Sequence, residues 1–291
     1  MIQFPFYPYG NTEVPTPDDG ALFHFTKIKR FLDIIDTMTF RSSPLCGMND
    51  LNEANMDNLD WMALDFMMMY NAQKYIKEQC SVISFSKNYM TGPVCQEGTN
   101  HPALWAHYAE DSKGVCIVLD KESLIANNKD LLDKHFYRME SVEYGSHCAP
   151  NDIIIEGKYA GVSDFVQHNY RELFFKKHSD WAYEDEERLL IESPLEYLNI
   201  KGAIKYIALG GRLKGDKDNL RRIIEKMITP ETMSYHYFNI HSFVEMSPTV
   251  NGYLALDASS NMLMLIQELS QTTPLAKDYF EWERKTFALS I

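Results

Sequence analysis

The chain has 291 residues, of which 45% are hydrophobic and 24% are charged, and this composition is typical of a globular protein with a substantial core. Its formal net charge is −13, which opposes loose binding to a nucleic-acid backbone. The 5 cysteines are widely spaced and include no C-x-x-C pair, which argues against a zinc site or a disulfide framework and favours reduced thiols in the cytosol.

The start of the chain predicts neither a signal peptide nor a membrane span. Residues 1–10 lack a basic segment and contain two prolines, and no stretch approaches the roughly 18 apolar residues that cross a bilayer. We therefore expect a cytoplasmic protein with no membrane partner. Residues 1–20 are rich in aromatic residues, Pro, Gly and Asp, and predict an irregular N-terminal arm.

A strand and a helix are predicted after this arm. Ala21–Thr26 is a short apolar run with His24 inside it, and Thr26 is placed to cap a helix that reaches Met38. An extended segment at 39–42 follows. A local basic groove could form around a cluster in this region: Lys27, Lys29, Arg30 and Arg41.

The next segments predict a loop, a long helix and a second strand. Asn49, Asp50 and Glu53 could bind a metal, but such residues more often cap a loop, and no metal is expected. A helix is predicted over 58–79. The alternating strand Ser81–Ser86 ends in hydroxyl groups and leads into a candidate mobile loop over 87–101.

The middle of the chain predicts more helices and strands in alternation. A short helix begins at Pro102 and carries Trp105, His107 and Tyr108, and a buried strand follows at 114–120. A helix near 121–133, a strand near 135–144 and a helix over 162–177 come next. None of the common phosphate-binding, metalloprotease or hydrolase motifs occurs.

The charged stretch near residue 184 points to a functional site. If 184–191 is a strand, its period of two places Glu184, Glu186 and Arg188 on one face. The alternative is a solvated strand end with a cross-strand ion pair. Further elements are predicted toward the C-terminus: strands over 203–209 and 235–246, a helix over 216–228 and a helical extension over 251–291.

These elements predict an α+β protein with a mixed, mainly antiparallel sheet core and flanking helices. Residues 21–250 are expected to form a single domain. The helical C-terminal extension over 251–291 would pack on that domain or on a partner, and it could support an oligomer.

Seven local patterns occur in one order between about residues 21 and 212. Together they resemble the bacterial family catalogued as domain of unknown function 2971. The patterns are L-F-H-F-T at 22–26, F-R-S-S at 40–43, M-N-D-L-N-E at 48–53, S-F-S at 84–86, L-W-A-H-Y-A at 104–109, K-G-V-C at 113–116 and W-A-Y-E-D-E-E-R at 181–188.

A looser resemblance is to the ADP-ribosyltransferase fold, which has a strand histidine, a strand ending in Ser-x-Ser and a late Glu-x-Glu. It implies that His24 contacts a ribose of NAD, that Ser84 with Ser86 shapes the nicotinamide pocket, and that Glu186 with Glu184 holds the nicotinamide ribose. The chain departs from this pattern at Phe85, where many such enzymes have a small polar residue. The further NAD-binding residues that we predict are Thr26, Arg188 and Tyr108, with Tyr89 as an alternative pocket tyrosine.

Loss of nicotinamide from NAD leaves an oxocarbenium-like ribose, which a carboxylate can stabilise. We expect Glu186 to take this role and Glu184 to orient the acceptor or accept its proton. Each residue also has a structural alternative: His24 could be a core histidine, and Ser84 could simply end a strand. We expect His24, Ser84 and Glu186 to converge on one cleft, and replacement of an exposed Glu186 to leave folding nearly unchanged.

The resulting hypothesis is an ADP-ribosyltransferase or NAD glycohydrolase of the bacterial cytosol, with NAD as its substrate. The acceptor would be a protein or a nucleic acid, and a toxin or anti-phage role is associated with such activities. One alternative is a non-catalytic module that senses a ligand or partner through the same cleft. Another is a metal-independent nuclease that uses His24 or His107 with Glu186.

Overall fold

A computed structural model describes residues 20–45, 66–91, 94–96, 98–145, 159–210, 212, 244–245 and 255–256. Its strands are β1 (Ala21–Thr26), β2 (Thr39–Arg41), β3 (Ser43–Pro44), β4 (Ser81–Ser86), β5 (Tyr89–Thr91), β6 (Val94–Gln96), β7 (Val115–Asp120), β8 (Tyr137–Ser141), β9 (Glu143–Gly145), β10 (Lys176–His178), β11 (Glu186–Ile191), β12 (Tyr197–Asn199), β13 (Ile204–Leu209), β14 (Val244–Glu245) and β15 (Ala255–Leu256). Its helices are α1 (Ile28–Thr37), α2 (Phe66–Gln79), α3 (Pro102–His107), α4 (Lys121–Asn127), α5 (Lys129–Leu132), α6 (Val162–His168) and α7 (Tyr170–Phe174). Two 3-10 helices cover Gly98–Asn100 and Ser179–Glu184.

The central sheet has the strand order β14-β15-β13-β7-β1-β4-β11-β8, and β3 adds to β4 beside this path. Neighbouring strands are antiparallel except for β13 and β15, which are parallel. Three smaller sheets pair β9 with β10, β2 with β12, and β5 with β6. The prediction of an α+β protein with a mixed, mainly antiparallel sheet is confirmed.

Helices pack on both faces of this sheet because its strands carry apolar side chains on both faces. On one face, Phe31 of α1 and Leu124 of α4 pack with Leu189 of β11. On the other face, Phe165 of α6 and Ile76 of α2 pack with Val82 and Leu190. Every residue of β11 is buried, so this strand runs through the interior of the protein.

The sheet is loosely joined between β1 and β4. β1 pairs with β7 along its whole length, from Ala21 opposite Asp120 to Thr26 opposite Val115. On its other side, β1 pairs with β4 at one position, where Phe23 lies opposite Ser86. β4 is in turn paired with β11 over all six of its residues, from Ser81 to Ser86. The two well-paired halves of the sheet therefore separate at the β1–β4 boundary.

Two predictions about element ends are wrong. Thr26 does not cap a helix: it is the buried last residue of β1, and Lys27 occupies the N-cap of α1 without a side-chain hydrogen bond. The helix predicted over 162–177 ends earlier, because α7 stops at Phe174 and the chain then extends into β10.

The strand predicted over 184–191 begins two residues later than expected. Ser179–Glu184 forms a 3-10 helix, and Asp185 has a left-handed backbone with φ of 42° that turns the chain into β11. Glu184 and Glu186 are therefore not successive residues of one strand face. Glu186 and Arg188 do share a face of β11.

The segment predicted as a loop over 87–101 contains two paired strands, β5 and β6, and the 3-10 turn Gly98–Asn100. This turn lies directly against Phe23, since a Cβ added at Gly98 would come within 2.3 Å of the Phe23 ring. A glycine is the residue that such a close approach permits. The mobility expected of this segment stays a prediction.

The C-terminal part of the chain is described at four residues. Within 251–291, Ala255 and Leu256 form β15 beside β13 and are not helical, which corrects the expectation at these two positions. The rest of that extension, the arm over 1–19 and the helix predicted over 216–228 lie outside the described residues. The proposed domain boundaries stay predictions. None of the helices in the described ranges is long and apolar enough to cross a membrane.

Candidate functional site

An open cleft of about 250 Å³ lies where β1 and β4 separate. Its walls come from both strands, from the chain around β2 and β3, and from the segment that contains β10 and the following 3-10 helix. The lining residues are Phe23, His24, Phe25, Arg41, Ser43, Val82, Ile83, Ser84, Phe85, Ser86, Leu104, Tyr108, Lys177, Trp181, Glu184 and Glu186.

His24 bridges the gap between the two strands. Its Nδ1 lies 3.3 Å from the carbonyl oxygen of Ser84, and its ring packs against Phe40 with a centroid separation of 4.6 Å. Burial lowers the pKa of His24, although the hydrogen bond to Ser84 acts in the opposite direction. The ring is therefore neutral near pH 7, and since a carbonyl only accepts, Nδ1 carries the proton.

This tautomer leaves Nε2 of His24 as a hydrogen-bond acceptor. At the ribose contact implied for His24, the neutral ring can therefore accept a hydrogen bond from a hydroxyl at Nε2 and cannot donate one there. The contact with Phe40 has the character of a core histidine, whereas the position on the cleft wall is the one that the NAD hypothesis requires. His24 is therefore both packed against a core residue and part of the cleft wall.

The two serines at the end of β4 have different environments. Ser86 donates a hydrogen bond of 2.7 Å from its hydroxyl to the carbonyl oxygen of Glu184, and so anchors the 3-10 helix to β4. The hydroxyl oxygen of Ser84 is buried and has no hydrogen-bond partner among the described residues. A buried hydroxyl without a partner costs free energy, so this group lowers the stability of the unliganded cleft.

Glu184 is held by a lysine and a tyrosine. Its Oε2 lies 2.8 Å from Nζ of Lys177, and the hydroxyl of Tyr108 donates to its Oε1. Burial and the neighbouring carboxylate raise the pKa of Tyr108, so its hydroxyl stays protonated. Each oxygen of Glu184 has one partner within the part of the chain that the structure describes, and a carboxylate oxygen has two lone pairs, so each keeps one further acceptor position.

Glu186 is buried and doubly ion-paired. Its Oε1 accepts from Nε of Arg188 at 2.7 Å, and its Oε2 accepts from a terminal guanidinium nitrogen of Arg188 at 2.9 Å and lies 2.7 Å from Nζ of Lys177. Its side chain is 3% exposed. Among the described residues, Oε1 has this single partner, which leaves it one further acceptor position.

The charge state of Glu186 follows from these contacts. Burial alone would raise the pKa of this carboxyl group. The charges and hydrogen bonds of Arg188 and Lys177 outweigh that effect and lower the pKa to about 2. Glu186 is therefore an ionised acceptor at neutral pH, and it cannot act there as a proton donor.

Six of the eight predicted site residues line the cleft together: His24, Ser84, Ser86, Tyr108, Glu184 and Glu186. His24, Ser84 and Glu186 all line this cleft, although the period of two places the side chain of His24 on the face of the sheet opposite to Ser84 and Glu186. Of the two candidate tyrosines, Tyr108 lines the cleft, whereas Tyr89 bonds the carbonyl of Asn100 and is not among the lining residues.

Two predicted site residues are placed elsewhere. Thr26 is buried at the end of β1 and is not part of the cleft wall. Arg188 is 1% exposed and donates to Glu186 and to the carbonyl oxygen of Phe174, so it holds the carboxylate in position and does not reach a ligand. The ion pair is also neither solvated nor cross-strand, because both partners are buried residues of β11.

Sequence reasoning missed Lys177, which contacts both glutamates. The residue was expected at the end of a helix, where a lysine is usually exposed, and the pattern around it gives no sign of a buried cation. Trp181 on the cleft wall was used for the family resemblance and was not considered a ligand contact. Among the described residues, no group of three or more His, Cys, Asp or Glu side chains could hold a metal ion.

One family model matches a part of the chain that includes both glutamates of the cleft. Residues 104–189 match the model of DUF2971, a protein of unknown function. The resemblance to DUF2971 is confirmed. The DUF2971 match includes Tyr108, Lys177, Glu184 and Glu186, whereas His24 and Ser84 precede it. Comparison with curated proteins and with solved structures gives no match.

Proposed function

We propose that the cleft binds NAD and that the protein cleaves the bond between nicotinamide and ribose, as an ADP-ribosyltransferase or an NAD glycohydrolase. The observation that carries the proposal is the hydroxyl of Ser84, a buried group with no partner among the described residues, on the wall of a cleft that also holds two carboxylates. A carboxamide or a ribose hydroxyl would satisfy it.

The proposed reaction breaks the C1′–N bond of the nicotinamide ribose. The bonding electrons leave with nicotinamide, which becomes neutral, and C1′ acquires oxocarbenium character. C1′ then bonds to an oxygen of water or of a macromolecular acceptor, and the proton of that acceptor passes to Glu184 or to solvent. The products are nicotinamide and ADP-ribose, either free or attached to the acceptor.

The two glutamates take separate parts in this scheme. Glu186 stays ionised and uses the open acceptor position of Oε1 for a ribose hydroxyl, which places negative charge near the developing cation. Glu184, hydrogen-bonded by Tyr108 and Lys177, faces the acceptor. Nε2 of the neutral His24 accepts from a second hydroxyl. An ADP-ribosyltransferase-like architecture and a site of action in the bacterial cytosol, in a toxin or anti-phage role, belong to the same proposal.

A second candidate is a non-catalytic module that senses a ligand in this cleft. The observation in its favour is the ion pairing of both glutamates, since Lys177 and Arg188 neutralise the charge that would stabilise an oxocarbenium ion. This candidate predicts binding of NAD or ADP-ribose with no release of nicotinamide.

Two measurements on the wild-type protein and on Ser84→Ala test the proposal. NAD binding is followed by calorimetry, and nicotinamide release by chromatography. We expect Ser84→Ala to weaken NAD binding by roughly five- to tenfold, the value of about one hydrogen bond. It should not lower the free energy of unfolding, because the hydroxyl has no partner to lose. Folded wild-type protein that neither binds nor consumes NAD at millimolar concentration would refute the proposal.

A further inference from the structure

The charges on the cleft wall are unevenly distributed. Two acids, Glu184 and Glu186, are matched by Lys177 on the wall and by Arg188 beneath it. Arg41 is the remaining charged residue of the lining, and no ion pair to it is found within the part of the chain that the structure describes. The cleft of an acidic protein thus presents an extra positive charge to a ligand.

Arg41 and Glu186 lie on opposite sides of β4. β11 pairs with β4 along one edge, with Glu186 opposite Ser86, and β3 pairs with β4 along the other edge, with Ser43 opposite Val82. Two strand spacings, or roughly 10 Å, separate β3 from β11. Arg41 is two residues before Ser43, on the side of β4 away from Glu186.

An exposed tyrosine stands beside Arg41. Tyr197 of β12 lies directly opposite Arg41 of β2, so the two side chains project from the same face of this two-stranded sheet. Phe40 and Leu198 project from the other face into the core. Tyr197 is 54% exposed, one of few large apolar side chains in the described residues with so much surface in solvent.

We infer that Arg41 and Tyr197 form the subsite for the nucleotide end of the ligand. Arg41 binds the diphosphate, for which a guanidinium provides charge and paired donors, and the ring of Tyr197 stacks on the base. This inference rests on the proposed function for the identity of the ligand. It adds an orientation, with the diphosphate and base on the β2–β12 side of β4 and the scissile ribose at Glu184 and Glu186.

The test compares ligands that contain or lack the nucleotide end. Binding of ADP-ribose, ADP and nicotinamide riboside is measured by calorimetry for wild type, Arg41→Gln and Tyr197→Ala. Two matched controls carry the same substitutions at exposed residues outside the cleft: Arg30→Gln on α1 and Tyr70→Ala on α2, the latter 58% exposed in the native protein. Nicotinamide release from NAD is measured on the same proteins.

We expect Arg41→Gln to weaken the binding of ADP-ribose and of ADP by tenfold or more. Tyr197→Ala should weaken the binding of both ligands by about fivefold or more. Neither should change the affinity for nicotinamide riboside, and both controls should match wild type. Higher salt should reduce the difference between wild type and Arg41→Gln, since an exposed charge is screened.

The possible failures can be told apart. Wild type that binds ADP through Arg41 but never releases nicotinamide supports the subsite and refutes the catalytic proposal. Wild type that cleaves NAD while Arg41→Gln and Tyr197→Ala bind ADP-ribose normally refutes the subsite alone. Equal losses in Arg41→Gln and Arg30→Gln also refute it, because they would indicate a general effect of surface charge.

Discussion

The carboxylate of Glu186 has a structural role as well as a role in the proposed chemistry. It was expected to be an exposed strand-edge group whose replacement leaves folding nearly unchanged, but it is buried between Lys177 and Arg188. Loss of one partner from a buried ion pair leaves an uncompensated charge in the interior. The expected exposure of Glu186 is therefore wrong, and with it the reason to expect unchanged folding.

Glu186→Gln should lower the free energy of unfolding by about 3–5 kcal/mol, because two buried cations then lack their shared anion. Nicotinamide release per folded molecule should fall by roughly 10² or more, owing to the lost electrostatic stabilisation. Urea denaturation gives the first value. The second requires activity normalised to the folded fraction.

Glu187→Gln is the matched control for that experiment. Glu187 is the next residue of β11, is also buried, and pairs with Lys121 on the opposite face of the sheet, away from the cleft. Its replacement should reduce stability and leave nicotinamide release per folded molecule unchanged. Equal activity losses in the two variants would show that the effect of Glu186→Gln is structural.

His24 should make the protein less stable in mild acid. Its pKa is lowered by burial, so below about pH 6.5 the unfolded chain binds protons that the folded protein does not. Stability therefore falls as pH decreases through that range. In His24→Asn, whose amide can still donate to the Ser84 carbonyl, the decline in melting temperature from pH 7.5 to 5.5 should be smaller. Parallel declines in the two proteins would contradict a neutral His24.

At the scale of elements, the cleft depends on how the turn Gly98–Asn100 packs against β1. The turn approaches Phe23 so closely that it fixes the wall of the cleft on that side. β1 is also the strand that is paired along its length on one side and at one recorded position on the other. A displacement of the Phe23 ring would therefore change the shape of the ligand site.

Gly98→Ala should lower stability by about 1–3 kcal/mol, because the added methyl group overlaps the Phe23 ring. It should also weaken ADP-ribose binding by displacing that ring toward the cleft. Denaturant titration and calorimetry measure the two effects. Gly161→Ala serves as control, since a Cβ there meets no atom within 4 Å. If Gly98→Ala is destabilised but binds ADP-ribose as wild type does, the packing of the turn does not influence the ligand site.

At the scale of the whole molecule, the buried charge cluster links stability to pH. The pKa of Glu186 is about 2 in the folded protein, against 4.5 ordinarily. The stabilisation that this carboxylate provides is thus fully present above about pH 4.5 and is lost as pH falls toward 2. The unfolding free energies of wild type and Glu186→Gln should converge over this range. A constant difference between them down to pH 2.5 would contradict the ion pairing.

The sequence determined the fold class and identified six of the residues that line the cleft. Local periodicity was enough to identify β1, β4, β7 and β11, because a strand's alternation depends on residues close together in the chain. The ordered patterns around His24, Ser84 and Glu186 were sufficient to place these residues in one expected cleft. Boundaries such as the start of β11 were less predictable, since the left-handed turn at Asp185 is set by contacts with the preceding 3-10 helix.

The tertiary structure decided what each site residue does. The role of Arg188 depended on its burial beside Glu186, and that of Lys177 on a position between two glutamates that are 7 and 9 residues away in the chain. The tautomer of His24 depended on a carbonyl 60 residues distant. Burial and long-range pairing are not local properties of a sequence. The charge states of these side chains, and with them the chemistry available in the cleft, are therefore fixed only when the strands assemble.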